Sequence, residues 1–250
     1  MSRVAFTVFG IEIMWYAIMI ATGTLIGILL ALREAKRVGL NEDALIDVLL
    51  AVMIVGIISA RLYYVAFSPE EFNSFFDAIN IRTGGMAIHG GVIGGLIAAI
   101  ITCKIKKIDF WRVADVLVPS VIFAQAIGRW GNFFNQEVYG GPTTLPWGIT
   151  ISSLPGKYHP LFLYESLASL IIFGFLIWYR KEKKKSDGEL LALYAILYGI
   201  VRFFLEAMRQ EEFVLKFMGL SIAQIVSTLM VLLGVTIYFI RRRKQQQSLH

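Results

Sequence analysis

The chain has 250 residues, 57% hydrophobic and 17% charged, with a formal net charge of +6 and a single cysteine. Its mean hydropathy of +0.67 is too high for a soluble domain, since such domains carry about 25% charged residues. One cysteine rules out an internal disulfide and a thiolate metal cluster, and the basic excess lies in loops between apolar runs, which reads as membrane topology and attraction to anionic lipid rather than a nucleic-acid surface.

Taken in chain order, apolar runs predict membrane spans at 13–32, 44–66, 86–103, 113–128, 161–179, 189–206 and 220–240. Most approach the roughly 20 residues needed to cross a bilayer. The expected fold is all-α: a polytopic membrane protein of seven transmembrane helices forming one integral domain, 1–250. The first span reads as a retained helix and not a cleaved signal, because its positive charges follow the apolar run and no small-x-small site stands out. The fourth is interrupted by Asp115, Pro119 and Gln125; Asp115 is expected to be a structural hydrogen-bond partner.

The 33–43, 104–112 and 180–187 loops and the tail after 240 hold sixteen of the 24 Lys and Arg residues. Arg3, Arg82, Arg129, Lys157, Arg209 and Lys216 fall on the other side, and Arg61 and Arg202 lie inside spans. The positive-inside rule places the amino terminus outside and the carboxyl terminus in the cytoplasm. The longest stretch between spans, 129–160, is then extracytoplasmic and holds Pro142, Pro146, Pro155 and Pro160, which predicts a small ordered cap. The acidic stretch E-E-F-N-S-F-F at 70–76 is placed on the same side. Trp15, Trp111, Trp147, Trp178 and Tyr179 are expected to be interfacial anchors, and Cys103 a small apolar filler.

Polar residues gather at the outer ends of the spans. Gly128 to Gly140 read G-R-W-G-N-F-F-N-Q-E-V-Y-G, which sets Arg129, Asn132, Asn135 and Glu137 beside the hydrocarbon boundary. Charge there is costly unless paired, hydrated or used. Tyr16 starts span one, Arg61 ends span two, His89 starts span three, and His159 precedes span five. Tyr198, Arg202 and Glu206 are spaced i, i+4, i+8, so they share one helix face. Arginines near one leaflet imply an anionic ligand, and a phosphate suits the guanidinium fork. An Arg202–Glu206 ion pair could equally lock helices together. His89, in H-G-G-V-I-G-G, is either a packed histidine or a proton acceptor, and its glycines suit close helix packing. His159 reads as structural. No Cys/His ligand spacing points to a catalytic metal, and no cofactor is expected.

These residues resemble the bacterial prolipoprotein diacylglyceryl transferases. The 128–140 segment is similar to that family's signature of Gly-Arg, Gly-Asn-Phe, Asn, Glu and a closing Gly. W-Y at 15–16, G-G-M-A-I-H-G-G at 84–91, H-P-x-x-L-Y-E at 159–165 and Y-G-x-x-R-F-x-x-E at 198–206 extend the likeness in order. The segment after Gly140 is short, and Leu161-Phe162 stand where many members have a small hydroxyl residue and Gln. The resemblance implies a plasma-membrane enzyme that moves the diacylglyceryl group of phosphatidylglycerol onto the lipobox cysteine of a prolipoprotein signal peptide, releasing glycerol phosphate. It further implies a head-group role for Arg129, companion roles for Asn132, Asn135, Glu137 and Gly140, and functional roles for Tyr16, His89, Tyr198, Arg202 and Glu206. Arg129 and Arg202 would then stabilise the departing phosphate, helped by Arg61, with His89 as candidate base and the site facing the outer leaflet. A transporter for an anionic solute and a non-catalytic scaffold are the competing readings of the residues themselves; a transporter would spread polar groups through both leaflets.

Overall fold

The computed structural model describes residues 3–68, 70, 72, 74–80 and 84–247. Arg82, His250 and, within the 70–76 stretch, Glu71 and Asn73 lie outside the described residues. In chain order the elements are β1 (Val4–Val8), β2 (Ile11–Met14), α1 (Trp15–Val38), α2 (Glu42–Phe67), α3 (Phe75–Ile79), α4 (Ile88–Lys106), α5 (Phe110–Asn135), α6 (Leu161–Glu182), α7 (Glu189–Ala207), β3 (Lys216–Phe217), β4 (Leu220–Ser221) and α8 (Ile222–Gln247). Among the described residues, seven helices are long and apolar enough to cross a membrane: all but α3. Lipid offers the backbone no partners, so apolar runs of this length satisfy their amides internally as helices. The chain packs as two compact units, 32–113 and 1–31 with 114–250.

Helix ends follow local chemistry. Asn41 caps α2, its side chain accepting from the Ala44 amide at 2.8 Å, with Glu42 and Asp43 in the first turn. After α1, Gly39 turns left-handed and the amides of Gly39 and Leu40 bond back to Lys36 and Ala35. Lys107 ends α4 in the same way. Such closures satisfy carbonyls that the last turn leaves open.

In the 32–113 unit, α2 and α4 pack through glycines. A Cβ on Gly90 would fall 2.4 Å from the Ser59 carbonyl oxygen, and one on Gly94 2.1 Å from Ser59 Oγ. Only hydrogen fits there, which is the close approach the H-G-G-V-I-G-G spacing predicts. Lys106 pairs with Asp47 at the other end of this helix pair.

In the larger unit a core of Val118, Ile122, Ile172, Leu176, Tyr179 and Leu190 joins α5, α6 and α7. Gly23 of α1 packs on the Ala124 carbonyl, where a Cβ would come within 2.8 Å. One end of this unit carries a buried latch. Asp115 accepts from the amides of Gly188, Leu190 and Leu191 at the start of α7 and from Lys184 Nζ at 2.9 Å. Burial penalises the Lys184 ammonium, but Asp115 and Asp187 outweigh that penalty and raise its pKa above the ordinary lysine value. Beside it the fully buried Glu189 accepts from Tyr179, from Ser186 and from the Lys185 amide, and pairs with Arg242.

Asp115 is therefore the structural partner the sequence suggested. Tyr179 differs from expectation: it is buried and hydrogen-bonded to Glu189 and Tyr238 instead of anchoring at an interface. These span ends thus carry a polar cluster, and every group named in it is paired. The hairpin β1–β2 was also unforeseen, because its apolar residues merge with the run that begins span one.

Candidate active site

The fourth span runs to Asn135, seven residues past its predicted end, so Arg129, Asn132 and Asn135 are helical. Packing extends it. The Tyr16 ring covers Gly131, where a Cβ would sit 2.6 Å from Tyr16 Cδ2, Trp15 stacks on Phe134 at 5.0 Å, and Phe133 meets Phe162 at 4.8 Å. The helix closes with Gln136 in the left-handed region at φ 54°. The Gln136 amide bonds to the Phe133 carbonyl and the Glu137 amide to Asn132. That closure folds Glu137 back over the helix end, where its Oε1 accepts from Asn132 Nδ2 at 2.8 Å and Asn135 Nδ2 at 3.3 Å.

Glycine is required at 140. A Cβ there would lie 2.8 Å from His159 Cβ and 2.9 Å from the Met208 carbonyl oxygen. The Gly140 amide bonds to His159 and the Gly141 amide to Met208, tying the signature to the starts of α6 and the end of α7. The 129–160 cap is ordered around Tyr139, Ile151 and Tyr158. The His159 ring meets the Tyr164 hydroxyl at 3.2 Å, and that hydroxyl also accepts from Trp147.

Three helices then bring charge together. Arg129 Nη2 of α5 contacts Glu165 Oε1 of α6 at 2.5 Å and the Tyr198 hydroxyl of α7 at 3.4 Å. Tyr198 donates to the same Glu165 oxygen at 2.7 Å. Tyr194 stacks flat on Tyr198 and donates to Gln125 at 3.3 Å. One turn beyond Tyr198, Arg202 Nη2 bonds to Glu206 Oε2 at 2.6 Å. Glu206 also takes Arg209 at 3.5 Å and the Ser221 hydroxyl at 3.1 Å. A guanidinium has five N–H donors, and the contacts to Glu165 and Tyr198 both use Nη2 of Arg129. A cavity of about 460 Å³ opens beside the signature, lined by Arg3, Tyr16, Asn135, Gln136, Glu137 and Tyr139 among others.

Within the larger unit the structure therefore groups Tyr16, Arg129, Asn132, Asn135, Glu137, Gly140, Tyr198, Arg202 and Glu206 at one end of the helices. His89 and Arg61 belong to the other unit. His89 is exposed in the first turn of α4, 6.3 Å from the Tyr63 ring. Arg61 is buried and its guanidinium is spent on backbone: Nε donates to the Ala78 carbonyl at 2.7 Å, Nη2 to Asp77 at 3.0 Å, and Nη1 to Gly84 and Gly85. These bonds organise the segment before α4, an occupation different from the head-group role expected of it. Sequence reasoning gave no role to Glu165, the hub of the cluster. An acid inside an apolar span signals a charged partner, but nothing local says which.

The profile of a family described as prolipoprotein diacylglyceryl transferase matches residues 3–240. The chain is 44% identical over 250 residues to the phosphatidylglycerol--prolipoprotein diacylglyceryl transferase of Clostridioides difficile (strain 630), covering 100% of this chain and 99% of that one. It is 42% identical to the protein of the same name from Finegoldia magna, over 98% and 97% of the two chains. The Staphylococcus epidermidis (strain ATCC 12228) protein of that name is 44% identical, over 97% and 90%.

Proposed function

The chain belongs to the prolipoprotein diacylglyceryl transferase family, and from that premise we propose how its residues act. The protein is a multi-pass membrane enzyme. It transfers the diacylglyceryl group of phosphatidylglycerol to the cysteine thiol of a prolipoprotein, the first step of lipoprotein maturation. The transport and scaffold readings give way to the transferase.

In the proposed reaction a base removes the thiol proton, because the thiolate is the nucleophile. Sulfur attacks the glyceryl carbon esterified to phosphate, a C–S bond forms, the C–O bond breaks, and glycerol phosphate leaves with the electron pair. Arg129 meets the phosphate through Nη1 and Nε while Glu165 and Tyr198 hold Nη2. Fixed donors in a dry site stabilise growing negative charge without reorganising. Arg202, held by Glu206, supplies a second cation. Tyr16, Asn132, Asn135 and Glu137 line the head-group space, and Gly140 lets the cap close against α6 and α7. His89 is the proposed base, and Arg61 supports it through the segment leading into α4. We assign the site to the outer leaflet, with the amino terminus outside, on the distribution of Lys and Arg.

The observation that carries this reading is the Arg129–Glu165–Tyr198 junction, with three helices spending membrane charge on one point. The test uses purified protein in vesicles holding acyl-labelled phosphatidylglycerol and a cysteine-bearing precursor peptide. Label joined to the peptide through an alkali-stable thioether is the expected result. A peptide that stays unlabelled overturns the reading.

A further inference from the structure

Two hairpins in the larger unit repeat one design. Val8 pairs with Ile11 around Phe9-Gly10, and Phe217 pairs with Leu220 around Met218-Gly219. Both central residues of each turn have positive φ: 49° and 81° in the first, 51° and 82° in the second. Two-residue turns of this kind favour Asn or Asp before the Gly. Here Phe9 and Met218 hold that strained position while 101% and 89% exposed. A bulky apolar side chain there loses twice in water, through backbone strain and through exposure.

The strands are amphipathic in the same sense. Opposed residues share a face, so Phe6, Ile13, Val8 and Ile11 form an apolar face and Thr7 with Glu12 a polar one. In the second hairpin Phe217 with Leu220 oppose Lys216 with Ser221. Phe6, Ile11, Phe217 and Leu220 are all more than half exposed. A lone two-stranded hairpin is marginal in water without cover for its apolar face.

Both hairpins run without a linker into spanning helices, Met14 into Trp15 and Ser221 into Ile222. Tyr16 against Gly131 and Ser221 against Glu206 put both at the end of the unit that carries Arg129 and Arg202. The helices they enter are themselves apolar and exposed, at Ile20 and Leu25 on α1 and at Leu229 and Leu232 on α8.

We propose that the two hairpins are interfacial wedges whose tips, Phe9 and Met218, insert among the acyl chains of the leaflet beside the arginine site. The occupant of both faces is lipid. The inference rests on the membrane fold and not on the proposed chemistry, so it stands or falls separately from the transfer assay.

Replacing buried Cys103 with Ala frees the chain for single-cysteine spin labelling. Phe9→Cys, Met218→Cys, Ile11→Cys, Glu12→Cys and, as the aqueous reference, Ser153→Cys are compared in the full-length protein reconstituted in phosphatidylglycerol-containing bilayers. Collision with oxygen, which concentrates in the acyl region, is set against collision with a water-soluble nickel chelate. Labels at 9 and 218 should favour oxygen several-fold, the label at 11 should favour it over the label at 12, and 153 should favour nickel. Tips as accessible to nickel as 153, or equal ratios at 11 and 12, overturn the proposal. Leu220→Cys on the second apolar face gives the same reading if a tip variant does not accumulate.

Discussion

Glu165 is buried against Arg129 and Tyr198, where its charge holds that guanidinium in place. Glu165→Gln keeps the shape and removes the charge. Breaking a buried pair on one side costs about 3–5 kcal/mol, and the partial exposure of Arg129 reduces our expectation to about 2–3 kcal/mol, measurable by denaturant unfolding in detergent. His89→Gln should slow thioether formation about 10²-fold, the lower range for a lost general base. A near-normal rate with an unchanged pH profile removes His89 from the chemistry. Gly131→Ala would press a methyl group into the Tyr16 ring. Overpacking of this kind costs about 1–3 kcal/mol, and here it also moves Tyr16, which lines the cavity beside the signature.

At the scale of elements, the latch between α5 and α7 has a predictable strength. Asp115→Ala strips three amides and Lys184 of their acceptor, and we expect a loss of about 2–4 kcal/mol. Lys184 makes the latch sensitive to alkali. Its pKa is raised in the folded protein, so its contribution is complete below the unfolded lysine value of about 10.4 and fades as pH climbs through the folded one. Asp115→Ala should flatten that alkaline loss in thermal melts. The spans themselves were legible, because twenty-residue apolar runs have few alternatives in a bilayer. Their ends were less so. Asn132 and Asn135 are weak helix formers, and it is contacts from outside the helix, by Trp15, Tyr16 and Phe162, that pack on this last stretch of α5. Its closure uses Gln136 where a glycine would have signalled the stop. The hairpins escaped notice because Phe9-Gly10 and Met218-Gly219 lack the usual turn residues.

For the molecule as a whole, the candidate site was legible as a set of polar residues out of place in oil, but not as a set of partners. Tyr198, Arg202 and Glu206 follow from helix periodicity. The meeting of Arg129 with Glu165 depends on how α5, α6 and α7 pack, which no local pattern reports. Arg61 shows the converse: a charge in a span drew a ligand role, yet the structure spends it on four carbonyls. In the proposed reaction Arg129 is the group that grips phosphate as the C–O bond breaks. Arg129→Lys keeps the charge and loses the fork, and the decisive measurement is its rate of thioether formation at saturating phosphatidylglycerol in reconstituted vesicles. A fall of about 10²–10³-fold, as for loss of a fixed donor to developing charge, with helical content and melting unchanged, is the predicted result. A rate close to wild type would contradict that role for Arg129.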